Sequence, residues 1–209
     1  MKILIQFKQT MLREKKRYLL IFSLFLLGIL IGSISSALSD NLNIEDARNS
    51  LNRVFTAYMM QGTQKSEAFR LSLFNQLSFA FWLWICGWHR FLLPVGMLQT
   101  ALKGFRTGFT ITYLCQCYQG KGILLTIFSI LPSSLLMLPA LCFYLACQIQ
   151  FAKDRQAIQN RQMSGSRKRT IYLHHVITTF VFLVHLILIA ILDGYLVPTI
   201  LQPLCGFFL

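Results

Sequence analysis

Long apolar runs separated by short polar stretches set the pattern of this chain. Residues 18–38 form the first run, 21 positions without a charge. That length suffices to cross a bilayer core of about 30 Å. Residues 71–88, 91–118, 123–149 and 171–196 repeat the pattern. The prediction is an all-α, polytopic membrane bundle with about five transmembrane helices, formed as a single integral membrane domain over residues 1–209. Residues 1–17 mix cations with Ile3, Leu4, Phe7 and Met11 at helical spacing, which predicts a cytoplasmic amphipathic segment on the inner membrane surface. Ala37-x-Ser39 has the look of a signal-peptide cleavage site. The preceding run is longer than the usual signal core, so a retained first span is expected.

Residues 39–70 form the longest polar stretch. Asp40, Glu45, Asp46 and Glu67 balance Arg48, Arg53, Lys65 and Arg70. Within it Ile44, Ala47, Leu51, Val54, Phe55 and Tyr58 recur at helical spacing, which predicts an amphipathic helix on the outer surface. Its candidate partner-docking residues are Ile44, Arg48, Leu51, Arg53, Phe55 and Tyr58. Residues 151–170 are strongly basic and contain Ser164-Gly165-Ser166, as expected of a cytoplasmic loop on anionic lipid. Cations flanking a span favour the inner side. Alternating the loops then puts the N-terminus inside, the balanced loop outside and the C-terminus outside.

Composition narrows the class. Hydrophobic residues make up 55% and charged residues 13%, with a mean hydropathy of +0.57. A soluble domain carries about 25% charged residues. The net charge of +13 is concentrated in the two membrane-flanking blocks, so anionic membrane lipid is the implied partner and nucleic acid is not. The six cysteines lie in or beside apolar runs, where thiols usually behave as small hydrophobes. Cys115-x-Cys117 has no companion pair at zinc spacing, so no metal or cofactor is expected. No Ser–His or paired-carboxylate constellation stands at usable spacing, so no catalytic residues are assigned.

Two features inside the apolar runs ask for an explanation. Gly28-x-x-x-Gly32 followed by Ser36 makes a small-residue stripe for helix packing. It fits packing within the chain or on a second copy, which allows a homodimer. The second is residues 102–141, which carry Lys103, Gly104, Phe105, Arg106, Gly108 and Phe109, then Gly120-Lys121-Gly122, then Pro132 and Pro139. The glycines of Gly120-Lys121-Gly122 predict a tight outer turn, and Pro132 predicts a kinked fourth span. Lys103 and Arg106 fall near the middle of a span and share a face. Three arrangements satisfy them: a helix broken near Lys103-Gly104 that lines a polar cavity, burial against acceptors from other helices, or snorkelling to the inner face. These residues form the candidate structural or gating core.

The sequence also resembles the stage II sporulation protein M family. The resemblance rests on Leu102-Lys103-Gly104-Phe105 with Gly108-Phe109, on Gly120-Lys121-Gly122, on Leu131-Pro132, and on Leu138-Pro139-Ala140. The order of basic N-terminus, first span, outer loop and four later spans agrees with it. Arg106 stands where the pattern has an apolar residue, and Ser133-Ser134 stands where it has larger amide-bearing side chains. The resemblance implies a non-catalytic scaffold in the mother-cell septal membrane during engulfment. Its implied partners are stage II sporulation proteins D and P, which cut peptidoglycan outside. The alternative from the residues alone is a membrane subunit of a transporter or permease.

Overall fold

The computed structural model describes residues 15–38, 49, 65–160, 165–197 and 199–200. The predicted inner segment 1–14 and the outer docking residues Ile44, Arg48, Leu51, Arg53, Phe55 and Tyr58 lie outside them. The described residues form α1 (Lys15–Ala37), α2 (Lys65–Trp88), a 3₁₀ turn (Arg90–Leu92), α3 (Leu93–Tyr118), α4 (Gly120–Ser129), α5 (Leu131–Asn160) and α6 (Gly165–Ile191). A π-helical stretch, Leu192–Leu196, continues α6. There is no strand among the described residues.

Among the described residues three helical stretches are long and apolar enough to cross a membrane: Lys15–Ala37, Leu131–Ile158 and Arg167–Leu196. The count of five drawn from the sequence is not reached on length and apolarity alone. α2 begins with Lys65, Glu67 and Arg70, and α3 carries Lys103 and Arg106. The outward faces explain why this is a membrane protein. Leu30, Ile34, Phe74, Phe180, Val181 and Leu188 are all exposed. Water would not tolerate so broad an apolar belt on a lone chain, whereas lipid tails match it.

The interior gathers along α5 and α6. Leu141, Tyr144, Leu145, Leu186 and Ile189 are wholly buried with Ile21 of α1 and Leu83 of α2. Tyr144 lies flat on Phe182 at 4.1 Å, and its hydroxyl meets Thr179 Oγ1 at 3.3 Å. One end of the bundle is tied by basic and aromatic groups. Arg17 donates to Gln150, Arg155 donates to the Trp88 carbonyl and lies over the Trp88 ring, and His175 stacks on Phe151.

Element boundaries differ from the sequence reading in three places. α2 starts at Lys65, inside the stretch read as outer loop. α5 runs to Asn160 and α6 starts at Gly165, so much of the basic stretch 151–170 is helical. The expected Gly120–Gly122 turn is displaced: Gln119 takes the positive φ of 51°, while Gly120 and Gly122 open α4. The reason is close approach. A side chain at Gly122 would collide with the Leu114 carbonyl, whereas nothing lies near Gly120.

The fourth apolar run is divided at Ile130. Pro132 has no N–H for the Phe128 carbonyl, and its ring crowds that turn. α4 therefore ends at Ser129 and α5 begins at Leu131, while Ile130 N–H still donates to Thr126 and Ser134 N–H to Ile130. Pro139 is taken into α5. Beside it, His185 of α6 bonds the Leu136 carbonyl at 3.0 Å.

Candidate functional site

α3 is unbroken from Leu93 to Tyr118 and presents two faces. The first is built from glycines. Gly96, Gly104 and Gly108 are buried, with Thr100 completing the four-residue spacing. Buried positions on α1 are Ile21, Phe25, Gly28, Gly32 and Ser36. A Cβ at Gly28 would sit on the Ala101 carbonyl, and one at Gly32 on the Phe105 carbonyl. From the other side, a Cβ at Gly104 would meet the Phe25 carbonyl, and one at Gly108 the Ile29 carbonyl. The stripe expected from Gly28, Gly32 and Ser36 thus packs on a second glycine pair of the same chain. α1 and α3 form the most extensive helix pair among the described residues.

The register gives direction. Phe25 pairs with Gly104, Ile29 with Gly108, and Ser36 Oγ with Gln116 Oε1 at 3.3 Å. Numbers rise together, so α1 and α3 run parallel. Ser33 Oγ adds a bond to the Gly108 carbonyl at 3.3 Å. Helices this close are held by dispersion and Cα–H···O contacts, because lipid gives no hydrophobic reward for pairing two apolar surfaces.

The second face of α3 is polar. Lys103, Arg106, Thr107 and Thr110 recur at helical spacing and line a cleft of about 220 Å³. α2 contributes Gln76, the α4–α5 junction contributes Ile130, Ser133 and Ser134, and the π-helical stretch contributes Asp193. Lys103 lies ten residues into α3, about 15 Å along the axis. Its ammonium sits 5.3 Å from the centre of the Phe79 ring. The negative charge of Asp193 attracts it and the Arg106 guanidinium repels it. Asp193 accepts a hydrogen bond from Ser72 Oγ at 3.0 Å. A π-helical turn widens the backbone and turns one extra residue onto a face, which is how these segments come to mark functional sites.

Hydrogen bonding inside the cleft is incomplete. Thr107 and Thr110 use their hydroxyls on the Lys103 and Arg106 carbonyls, at 3.0 and 2.8 Å. Ser133 leans on the Ile130 carbonyl at 3.4 Å, not on the Phe128 carbonyl that Pro132 leaves open. Gln76 is 5% exposed, and its Oε1 has no partner among the described residues. The arrangement can attract an anion and can accept one further hydrogen bond.

The candidate core motif is therefore divided between two faces. Gly104 and Gly108 belong to the α1 seam, while Lys103 and Arg106 belong to the cleft. Phe105 and Phe109 stack with Tyr113 in a ladder at 6.1 and 5.8 Å. Pro132 is half-buried just past the break, and Pro139 is exposed on α5. α3 carries no break near Lys103-Gly104. Gln76, Thr107, Thr110 and Asp193 were not among the candidate site residues. Thr107 and Thr110 could have been found from the i, i+3, i+4, i+7 spacing that starts at Lys103. Arg106, Ser133 and Ser134 meet in this one cleft. Among the described residues no group of His, Cys, Asp or Glu could hold a metal ion.

No curated protein and no solved structure matches the chain. Residues 21–198 match the family model of stage II sporulation protein M, a stretch that takes in both faces of α3 and everything packed on them, and the chain belongs to that family.

Proposed function

We propose that this chain is a non-catalytic integral membrane scaffold that crosses the bilayer five times and positions peptidoglycan hydrolases at the septal membrane during engulfment. The partners in this reading are stage II sporulation proteins D and P. The observation that carries it is the α1–α3 seam. α1 is long and apolar enough to span, and α3 lies parallel to it, in backbone contact where Phe25, Gly28, Ile29 and Gly32 meet Ala101, Gly104, Phe105 and Gly108. A helix so paired traverses the same slab, and α2 must return the chain between them. In this reading α1 leaves the bilayer at the end of the seam, and the chain re-enters at Lys65 through α2, which packs on α6. The stretch between would then be displayed from two anchored ends. The basic ends of α1, α5 and α6 favour an inner location for that side of the bundle, with the N-terminus in the cytoplasm.

Cross-linking and pull-down from the native membrane test this. A scaffold should bring down cell-wall hydrolases. Reversing the charges of Arg48 and Arg53 together, or blunting Leu51 and Phe55, should reduce their recovery. Unchanged recovery would argue against the outer stretch as the docking face. A second reading, the membrane subunit of a permease, is favoured by one observation, the cationic cleft. Anion flux in proteoliposomes that is lost in Lys103→Ala would select it over the scaffold.

A further inference from the structure

The cleft on α3 is unbalanced in two respects that point the same way. It holds two cations, Lys103 and Arg106, against one carboxylate, Asp193. Asp193 already accepts from Ser72, so half-buried Lys103 and exposed Arg106 leave one positive charge without a carboxylate among the lining residues, and at membrane depth an unmatched charge is expensive. Gln76 Oε1 is the second imbalance: a buried acceptor that lacks a donor among the described residues. The hydroxyls of Thr107, Thr110 and Ser133 are turned to backbone carbonyls. The strong donors left facing the cleft are the ammonium and the guanidinium, the pair best suited to a tetrahedral oxyanion. About 220 Å³ holds such an anion together with a short polar substituent, given that a water takes about 30 Å³.

We propose that this cleft binds a phosphate-bearing anion, its phosphate held by Lys103 and Arg106 and an adjoining hydroxyl donating to Gln76 Oε1. Two sources offer that chemistry: the headgroup of a glycerol-type phospholipid, and free inorganic phosphate. Leu77, Leu102 and Leu131, neighbours of the lining residues, are exposed on the lipid-facing surface and would carry acyl chains. The site does not depend on the scaffold reading, because it needs no partner protein.

The test uses the full chain in detergent micelles with tail-matched phosphatidylglycerol or phosphatidylcholine, and native mass spectrometry to count retained lipid. Wild type retains phosphatidylglycerol in preference to phosphatidylcholine. Lys103→Gln with Arg106→Gln weakens retention about tenfold, the scale of a lost charge-assisted contact. Asp193→Asn removes the competing carboxylate and keeps both cations, so it strengthens retention severalfold, and it serves where the double variant does not fold. Lys153→Gln with Lys168→Gln, in the basic end of the bundle, leaves retention unchanged. Displacement of the lipid by millimolar inorganic phosphate assigns the site to the free anion, and persistence assigns it to the headgroup. Equal retention of the two lipids with no effect of phosphate overturns the proposal. So does a Lys153/Lys168 variant that loses as much lipid as the cleft variant.

Discussion

The two faces of α3 make opposite use of the same helix. Toward α1 the side chains vanish: Gly104 and Gly108 meet Gly28 and Gly32, and backbone rests on backbone. Toward α2, α5 and the π-helical stretch, Lys103 and Arg106 reach into a cleft whose hydrogen bonding is incomplete. The difference teaches how a lipid-embedded helix tolerates charge. In lipid, affinity between helices comes from shape and close contact, so small residues supply the hold. A helix anchored by such a seam can carry an imperfect polar face, because the seam keeps it in place whatever the polar face lacks.

The largest expected effect breaks the seam. Gly32→Ile puts a branched side chain where the Phe105 carbonyl lies. Neither backbone can yield without separating the whole pair, and the loss should be on the order of 3 kcal/mol or more. A sharp fall in thermal midpoint and in monodisperse recovery from detergent checks it. Gly122→Ala repeats the test on a smaller scale, against the Leu114 carbonyl of the α3–α4 hairpin. Its cost should be about 2 kcal/mol, since only a ten-residue helix has to move. The polar face should respond in the opposite manner. Lys103→Met replaces a half-buried cation by an apolar chain of similar length and keeps the packing on Phe79. Stability should change by less than about 1 kcal/mol, or rise. Retention of a phosphate-bearing lipid should fall about threefold, less than in the variant that lacks both cations. A Lys103→Met variant that melts as badly as Gly32→Ile would erase the distinction between the faces.

The seam was half legible in the sequence and the cleft less so, for a physical reason. Gly28-x-x-x-Gly32 and Gly104-x-x-x-Gly108 each announce a smooth stripe, since spacing within one helix fixes which residues share a face. Which stripe meets which depends on tertiary arrangement, so a second copy was as good a partner as α3. Lys103 and Arg106 stood out because charge is rare in apolar runs. Gln76 did not, being one amide in a span dominated by aromatic residues. Asp193 stands eight residues from His185 on its own stretch of helix. The structure instead pairs it with Ser72 on α2, and turns His185 to the Leu136 carbonyl on α5. Local spacing cannot report such crossings. The hairpin misled for a related reason. Glycine is the default residue for a positive φ, so the turn was expected at Gly120–Gly122. Gly122 is instead required by contact with Leu114, and the strained position falls on Gln119.

That displacement yields the two smallest predictions. Gln119 has φ 51° and ψ −129°, a region that side chains disfavour. Gln119→Gly should relieve the strain and stabilise the protein by about 1 kcal/mol, read as a rise in thermal midpoint. Gly120→Ala is the mildest change and the sharpest control. Gly120 is the first residue of α4, with nothing within 4 Å of a Cβ placed there. Alanine reduces the freedom of the unfolded chain and meets no clash, so a gain of about 0.5 kcal/mol is expected. The same one-carbon addition two residues on, at Gly122, should destabilise. Opposite signs at Gly120 and Gly122 would show that close approach, not glycine content, holds α4 to α3. Matching signs would mean that the helix–helix contacts are looser than the backbone-on-backbone geometry describes, and the seam on the far side of α3 would lose its explanation with them.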